Sequence, residues 1–287
     1  MHRTFALLAL ALPLAACGGG GSGGSVSSLA QAATKSTSTT SMRMDLTVTM
    51  TASQLSQPLT LTSSGVEDNS SRRAEMSIDM SKFAAAFGTV GKQLADPADW
   101  KGTEIADFGN GRALLYMNLP FLTKLVPGHK PWVKLDLKAY ANKFGVDISQ
   151  FTDFSSNPAE ILDWLRATSG SIRKIGTETV EGVETTHYHA TVDLSKYAKL
   201  VPPDQRVVVR KFITSLAGFH TFPVDAWVGN DGLVRKEHLA FTETVLGQKL
   251  TMNMVMYFHD FGGPVRIALP SAHQTVDVAK LAGRGTP

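Results

Sequence analysis

The sequence predicts an α+β fold, in which a large antiparallel β-sheet carries helices on one face. Alternating apolar and polar residues recur near both ends of the chain, and the clearest run is Met42–Met50, with nine alternating positions. Helix-type spacing is confined to stretches between strand pairs, and Gly/Asn/Asp turns join several strands directly. Period-two alternation is typical of half-buried strands. This order of elements therefore favours an antiparallel sheet over a parallel βαβ sheet.

The first half of the chain begins with a weak helix over residues 28–40 and continues as a strand meander. Asp68-Asn69-Ser70-Ser71 is typical of a turn between strands. Further on, Asn157 as N-cap and Pro158 at the first position begin a clear helix, which Gly170 ends. The other predicted elements of this half are strands over 42–50, 59–66, 73–80, 113–118 and 131–137, and helices over 81–94 and 120–126.

The second half is again rich in strands. Val180-Glu181-Gly182 and Gly229-Asn230-Asp231-Gly232 are hairpin turns, because glycine accepts the backbone angles that tight turns require. A helix over 203–216 places Val208, Phe212 and Leu216 four residues apart on one face. The predicted strands of this half are 171–178, 183–194, 223–228, 233–242 and 248–259.

The N-terminus has the pattern of an export signal. Arg3 precedes a twelve-residue apolar run, Phe5–Ala16, which is shorter than the roughly 20 residues of a membrane-spanning helix. Leu14-Ala15-Ala16-Cys17 resembles the lipobox of bacterial lipoproteins, which implies that Cys17 is diacylglycerylated and becomes the first residue after cleavage. The alternative is that Cys17 is a small apolar residue within the signal.

These features predict three segments. Residues 1–16 are a signal peptide, residues 17–27 are the lipidated cysteine with a Gly/Ser linker, and residues 28–287 form a single domain. We therefore expect an extracytoplasmic protein that is held on the cell membrane through acylated Cys17. Two acyl chains are sufficient for stable anchoring.

Composition excludes several classes of protein. The chain has 287 residues, 43% of them hydrophobic, 18% charged, and a single cysteine. This is incompatible with a disulfide scaffold, a zinc ribbon or a disordered chain. The net charge of +3 is not concentrated in a basic run, so we expect no nucleic-acid partner. We expect the domain to be a monomer.

Methionine is unusually placed in the predicted strands. Nine methionines follow the signal, and each lies in the apolar phase of its strand-like segment. Packed sheets favour β-branched and aromatic residues instead, whereas methionine adapts to irregular apolar partners. Two interpretations stay open: the sheet face lines a cavity for flexible acyl chains, or it is an ordinary core under the helices.

Several short motifs together resemble the LolA/LppX/LprG-like lipoproteins of actinobacteria. They include Cys17 in its lipobox, the strand from Met42, and Gly182-Val183-Glu184-Thr185-Thr186-His187-Tyr188, which looks like the family's G-x-x-T-x-H-Y strand. Further matches are Val224–Val228 and the segment Asp260–Ile267. The motifs occur in the family's order and extend over roughly residues 28–281.

The resemblance implies a strongly curved antiparallel sheet, a half-barrel, whose concave face is covered by helices and encloses an apolar cavity. It also implies binding of a lipid or a lipoglycan outside the cytoplasmic membrane. The residues expected to line the cavity are Met44, Leu46, Met76, Ile78, Met117, Val133, Leu135, Leu165, Phe212, Leu216, Met252, Met254 and Met256.

His187 and His189 are the strongest candidates for metal chemistry, because residues two apart share one face of a strand. Their phase is opposite to that of Tyr188 and Ala190, which places them on the convex, solvated side. No set of a carboxylate with a further histidine lies near them in the sequence, so surface histidines are the favoured interpretation over a metal site. No serine occupies the strand-to-helix elbow of a hydrolase, and we expect neither a cofactor nor enzymatic activity.

The sequence thus predicts a membrane-anchored lipoprotein that binds a lipid in an apolar cavity and carries it across the envelope. The alternative is an envelope interaction or sensing protein with a filled core, acting through its surface.

Overall fold

The structure is a computed structural model that describes residues 26–52, 57–82, 96–126, 130–137, 164–201, 221–245 and 248–278, with the single residues Gly128, Ala139, Leu162, Pro203, Arg206 and Arg210. The predicted signal peptide, Cys17 and nearly all of the linker lie outside these residues. So do most of the predicted helices over 81–94 and 203–216, including Phe212 and Leu216, and the first five residues of the predicted helix over 157–170.

Within the described residues, twelve strands form one sheet. The strands are β1 (Ser41–Ala52), β2 (Leu59–Asp68), β3 (Arg73–Asp79), β4 (Lys101–Asp107), β5 (Leu114–Asn118), β6 (Trp132–Asp136), β7 (Thr168–Val180), β8 (Val183–Asp193), β9 (Thr221–Gly229), β10 (Val234–Val245), β11 (Gln248–His259) and β12 (Thr275–Asp277).

The order across the sheet is β12-β6-β5-β4-β3-β2-β1-β11-β10-β9-β8-β7. Every pair is antiparallel except β12 with β6, which is parallel. β12 and β7 are the outermost strands and do not pair with each other, so the sheet is open. The predicted large antiparallel sheet of an α+β fold is confirmed, and the sheet is curved; its closure to a half-barrel and the helical cover of a concave face stay predictions.

Three helices accompany the sheet in the described residues: α1 (Val26–Thr37), α2 (Pro120–Leu125) and α3 (Leu194–Leu200). α1 and α2 lie where the sequence predicts them. α3 was not predicted; it begins after Asp193, whose carboxylate accepts a hydrogen bond from the backbone N–H of Ser195 at 2.9 Å. Short 3-10 turns occur at Pro97–Trp100, Gly109–Gly111, Leu165–Ala167 and Ala272–Gln274.

Two further sequence predictions differ from the structure. The predicted helix up to Gly170 is wrong at its end, because β7 is already extended from Thr168. β4 was missed, because its sequence Lys-Gly-Thr-Glu-Ile-Ala-Asp lacks an alternating pattern. Pairing with β3 on one side and β5 on the other holds this strand in the sheet, which shows how tertiary context outweighs local preference.

The two ends of the sheet are named here after the ends of β1. Ser41 lies beside Asp68, and Arg43 lies opposite His259, at the Ser41 end. Ala52 lies opposite Leu250, at the Ala52 end. β1 pairs antiparallel with β11, β11 with β10, and β10 with β9. The β9–β10 turn therefore belongs to the Ser41 end, and the start of β9 belongs to the Ala52 end.

Candidate functional site

The inner face of the sheet is defined by Met44 and Leu46 of β1 and by Met256 of β11, which is opposite Leu46. Successive side chains of a strand point to opposite faces, so even-numbered residues of β1 and β11 lie on this face. α1, α3 and the 3-10 turn Leu165–Ala167 contribute to the same hydrophobic cluster. These elements therefore share one core with the residues of the inner face.

Strand register brings the methionines into rows across the inner face. Leu46 is opposite Met256, and Met50 is opposite Met252. A second row crosses five strands: Met44, Gly65, Met76, Glu104 and Met117 are successive partners. The methionines of these strands thus lie on one face of the sheet, as their phase in the sequence predicted, with Glu104 between Met76 and Met117.

The side chains of this surface become less buried along the strands, from the Ser41 end toward the Ala52 end. At the Ser41 end the inner face is fully packed, with Met44 at 1% exposure and Met256 at 2%. Toward the Ala52 end the same strands present side chains of intermediate exposure. These are Val48, Met50, Leu61, Phe241, Leu250, Met252 and Met254, contributed by β1, β2, β10 and β11.

The residues predicted to line a cavity divide along this gradient. Met44, Met76, Leu165 and Met256 are buried in the core cluster, and Val133 is buried outside it. Leu46, Ile78 and Met254 are partly buried and pack against the cluster. Met117, Leu135 and Met252 have intermediate exposure. Phe212 and Leu216 lie outside the described residues, and the lining of a cavity by this set stays a prediction.

Two glutamates on the inner face were not singled out from the sequence. Glu237 lies between Ala226 and Met256 in the register and is fully buried, and neither of its carboxyl oxygens has a hydrogen-bond partner within the described structure. Desolvation by burial raises the pKa of Glu237 well above its usual value. Glu104, between Met76 and Met117, also has its pKa raised by burial. The alternation of β10 placed Glu237 in the apolar phase, and this was the signal that could have found it.

The outer face carries a hydrogen-bonded network around Asp225. His187 Nε2 and His189 Nδ1 lie 3.0 and 2.9 Å from the same oxygen, Asp225 Oδ1. The other ring nitrogen of His187 is 2.9 Å from Glu178 Oε1. His238 Nδ1 is 3.8 Å from Asp225 Oδ2. The network joins β7, β8, β9 and β10.

Desolvation opposes ionisation of Asp225, yet hydrogen bonds from His189 and His187 outweigh it and lower the pKa of this carboxyl. Trp227 completes the arrangement: its ring stacks on His187 with centroids 4.2 Å apart, and Lys236 Nζ lies 4.2 Å from its centroid. The sequence predicted the face of the two histidines but missed Asp225, which is 38 positions from His187. Pairing of β8 with β9 would have revealed it.

Within the described residues, no group of three His, Cys, Asp or Glu side chains is arranged to hold a metal ion. The contacts with Asp225 and Glu178 orient the imidazole rings. No helix in the same part of the chain has the length and hydropathy needed to cross a membrane.

A pocket of about 340 Å³ lies at the Ser41 end, away from the half-exposed methionines. Arg235 and Phe261 line it, and the Arg235 Cζ atom lies 4.9 Å from the Phe261 ring centroid. This pocket is bordered by hairpin turns and does not coincide with the predicted cavity.

Comparison with known proteins gives two kinds of similarity. No protein-family model matches the chain. An uncharacterised 31.2 kDa protein from the rplA-rplJ intergenic region of Streptomyces griseus is 31% identical over 175 residues. The match covers 59% of this chain and 55% of that protein, so the chain spans only about half the length of this relative.

Several solved structures are also similar to the chain. LprF from Mycobacterium bovis has a TM-score of 0.44 at 12% identity, covering 86% of this chain and 97% of LprF. LppX from Mycobacterium tuberculosis has a TM-score of 0.42 at 13% identity, covering 85% and 97%. A LolA superfamily protein from Nitrosomonas europaea has a TM-score of 0.28 at 10% identity, covering 85% and 94%. The similar structures thus include the lipoproteins that the sequence motifs resemble, and likeness at this level carries no conclusion about ligand or activity.

Proposed function

We propose that this protein is a membrane-anchored lipoprotein that binds the acyl chains of a lipid or lipoglycan on the inner face of its sheet. The observation that carries the proposal is the burial gradient of that face. Apolar side chains from four strands, among them Met50 and Met252, keep intermediate exposure at the Ala52 end. Pockets that bind small molecules are lined mainly by apolar side chains of this kind.

The chemistry of this surface suits acyl chains. Each methylene removed from water contributes about 0.8 kcal/mol, so a long chain binds through many small contacts without a specific polar partner. Methionine side chains are flexible and polarizable, and they repack around ligands of different shape. These properties support a site for lipids that differ in chain length, and reversible burial would let the protein carry a lipid across the envelope.

A second candidate is supported by the packing at the Ser41 end. Met44, Met256 and Phe258 are almost fully buried there, which is what a filled core requires. The protein would then act through its outer face, where the network around Asp225 lies. In this case the half-exposed methionines would contact another part of the envelope instead of enclosing a ligand.

Lipid extraction separates the two candidates. The chain from residue 18 onward is produced in bacterial cells, checked for cooperative unfolding, and extracted with organic solvent for mass spectrometry. We expect a lipid with long acyl chains in stoichiometric amount, and binding of a pyrene-labelled fatty acid after delipidation. Absence of both would remove the lipid-binding proposal and favour the second candidate.

Two variants at adjacent positions test whether the lipid binds on the inner face. Met252 lies on the inner face with intermediate exposure, whereas Asn253 is exposed on the outer face. Met252→Lys puts a charge where acyl chains are expected to lie, so we expect at least a tenfold loss of pyrene-lipid affinity, about 1.4 kcal/mol. Asn253→Lys adds the same charge to the same strand and should bind normally. Equal binding by both variants would argue against the inner face as the site.

A further inference from the structure

The direction of α1 relative to the sheet follows from the contacts near its C-terminus and from the element on which it packs. Near its C-terminus, Lys35 Nζ donates a hydrogen bond to the carbonyl oxygen of Asp231 at 2.5 Å, and the backbone N–H of Val234 donates to Ser36 Oγ at 2.9 Å. Asp231 and Val234 flank the β9–β10 turn, at the Ser41 end. α1 also packs against the 3-10 turn Leu165–Ala167, which directly precedes β7.

That 3-10 turn lies at the opposite end of the sheet. Thr168 pairs with Val192, and Val192 pairs with Phe222 at the start of β9, which belongs to the Ala52 end. α1 therefore runs from the Ala52 end toward the Ser41 end. Its first residue, Val26, lies on the side of the Ala52 end.

The length of chain between Val26 and Cys17 limits where an anchor can lie. Eight residues separate them, and at most about 3.6 Å per residue allows a span of roughly 30 Å. β1 alone has 12 residues, so at about 3.3 Å per residue the sheet is near 40 Å long. An anchor at Cys17 therefore brings the Ala52 end to the membrane more readily than the Ser41 end.

The two ends of the sheet also differ in charge, and this difference again favours the Ala52 end as the one that faces the membrane. Exposed lysines at the Ala52 end are Lys82, which follows β3, Lys196 and Lys199 of α3, and Lys249 of β11. Leu200, beside Lys199, is 45% exposed. Exposed side chains at the Ser41 end carry both signs: the acidic Glu181, Glu184, Asp231 and Asp260, and the basic Lys35, Arg43, Arg72 and Arg112. Basic side chains near a bilayer are attracted to anionic lipid headgroups.

We infer that the Ala52 end is a docking surface for an anionic lipid bilayer, on which Lys196 and Lys199 of α3 and Lys249 of β11 contact the headgroups. This rests on the proposed function, because it takes Cys17 as the anchor and the inner face as the lipid site. The half-exposed methionines lie at this same end. A lipid can then pass between the bilayer and the inner face while the protein stays anchored.

The orientation can be measured with labels at the two ends of one strand. Gln57 precedes β2 at the Ala52 end and Ser70 follows it at the Ser41 end, and both are exposed. Because Cys17 is the only cysteine and is expected to be acylated, Gln57→Cys and Ser70→Cys each add one thiol for a fluorophore. The acylated full-length product, with its mass verified, is reconstituted in phosphatidylcholine vesicles containing phosphatidylglycerol and spin-labelled lipid.

We expect the spin-labelled lipid to quench the fluorophore at position 57 several-fold more strongly than the fluorophore at position 70. Equal quenching, or stronger quenching at position 70, would overturn the docking proposal while leaving lipid extraction as an independent test of ligand binding. If the mature chain carries no acyl groups, the anchor proposal and the docking proposal are both wrong.

Charge reversal tests the headgroup contact. Lys196→Glu/Lys199→Glu should reduce quenching at position 57 on anionic vesicles to the level seen on pure phosphatidylcholine. Lys174→Glu/Arg266→Glu makes the same change of net charge at exposed residues away from the Ala52 end and should leave quenching unaltered. Equal effects of both pairs would show only a general dependence on net charge, and would count against a docking surface at α3.

Discussion

Glu237 is a carboxyl group held on the inner face without a hydrogen-bond partner for either oxygen in the described structure. Burying a polar group without such a partner costs about 1–3 kcal/mol by mutational measures. Because burial raises the pKa of Glu237, the folded protein keeps the proton to a higher pH than the unfolded chain does. Stability associated with this group is present at pH values below the ordinary pKa near 4.5 and is lost as pH rises toward the folded value.

We predict that Glu237→Leu raises the free energy of unfolding at pH 7 by about 1–3 kcal/mol, because an apolar side chain of similar size replaces an unsatisfied carboxyl. The gain should shrink as pH falls toward 4.5. Urea unfolding between pH 4.5 and 7 measures it. Glu181→Gln neutralises an exposed carboxyl and should change stability by less than about 0.5 kcal/mol. Loss of stability in Glu237→Leu at every pH would mean that the carboxyl has a partner in solution.

Single residues also show what the strand pattern leaves undetermined. Alternation placed His187 and His189 on the same face, and the structure agrees. Asp225, which contacts both rings, belongs to a different hairpin. Its position depends on which strand pairs with β8, and local sequence carries no direct information on that choice.

At the scale of elements, Gly65 shows how closely β2 and β3 are packed on the inner face. A Cβ atom at this position would lie 2.0 Å from the carbonyl oxygen of Glu75 and 2.7 Å from Met76 Sδ. The glycine lets the Met76 side chain lie across its neighbouring strand, and so keeps the row of methionines continuous.

Gly65→Ala should therefore lower the free energy of unfolding by about 1–3 kcal/mol through overpacking. Gly176 of β7 is a suitable comparison, because a Cβ atom there would meet nothing within 4 Å. Gly176→Ala should be neutral or slightly stabilising, since alanine restricts the unfolded chain. Chemical denaturation of the two variants measures the difference, and equal stabilities would show that β2 and β3 can separate without cost.

Elements defined by local chemistry were the ones that the sequence predicted well. The turns at residues 180–182 and 229–232 have glycine where φ is positive, at Gly182 and Gly232, and both join antiparallel strands as expected. β4 lacked such a signal, and for α3 the N-cap at Asp193 was the local signal that was missed. β4 depends on its two neighbours in the sheet, and α3 is a short helix that packs on the 3-10 turn Leu165–Ala167.

At the scale of the whole molecule, the proposed anchor at Cys17 would determine how the domain meets the membrane. We predict that the mature protein begins at Cys17 and carries acyl groups on its sulfur, and that Cys17→Ser removes these groups while the folded domain keeps its melting temperature. Intact-mass spectrometry and thermal unfolding measure the two effects. A mature chain that begins elsewhere, or one without added acyl mass, would contradict the anchor.

The sequence by itself determined the features that depend on neighbouring residues: the strand periodicity, the hairpin turns and the apolar phase of the methionines. Only the tertiary structure decided which strands pair, and hence that Asp225 meets two histidines and that Glu237 is buried beside Met256. It also decided that burial of the inner face declines toward the Ala52 end. The reason is physical: periodicity specifies the face on which a side chain lies, whereas its exposure depends on what packs over that face from distant parts of the chain.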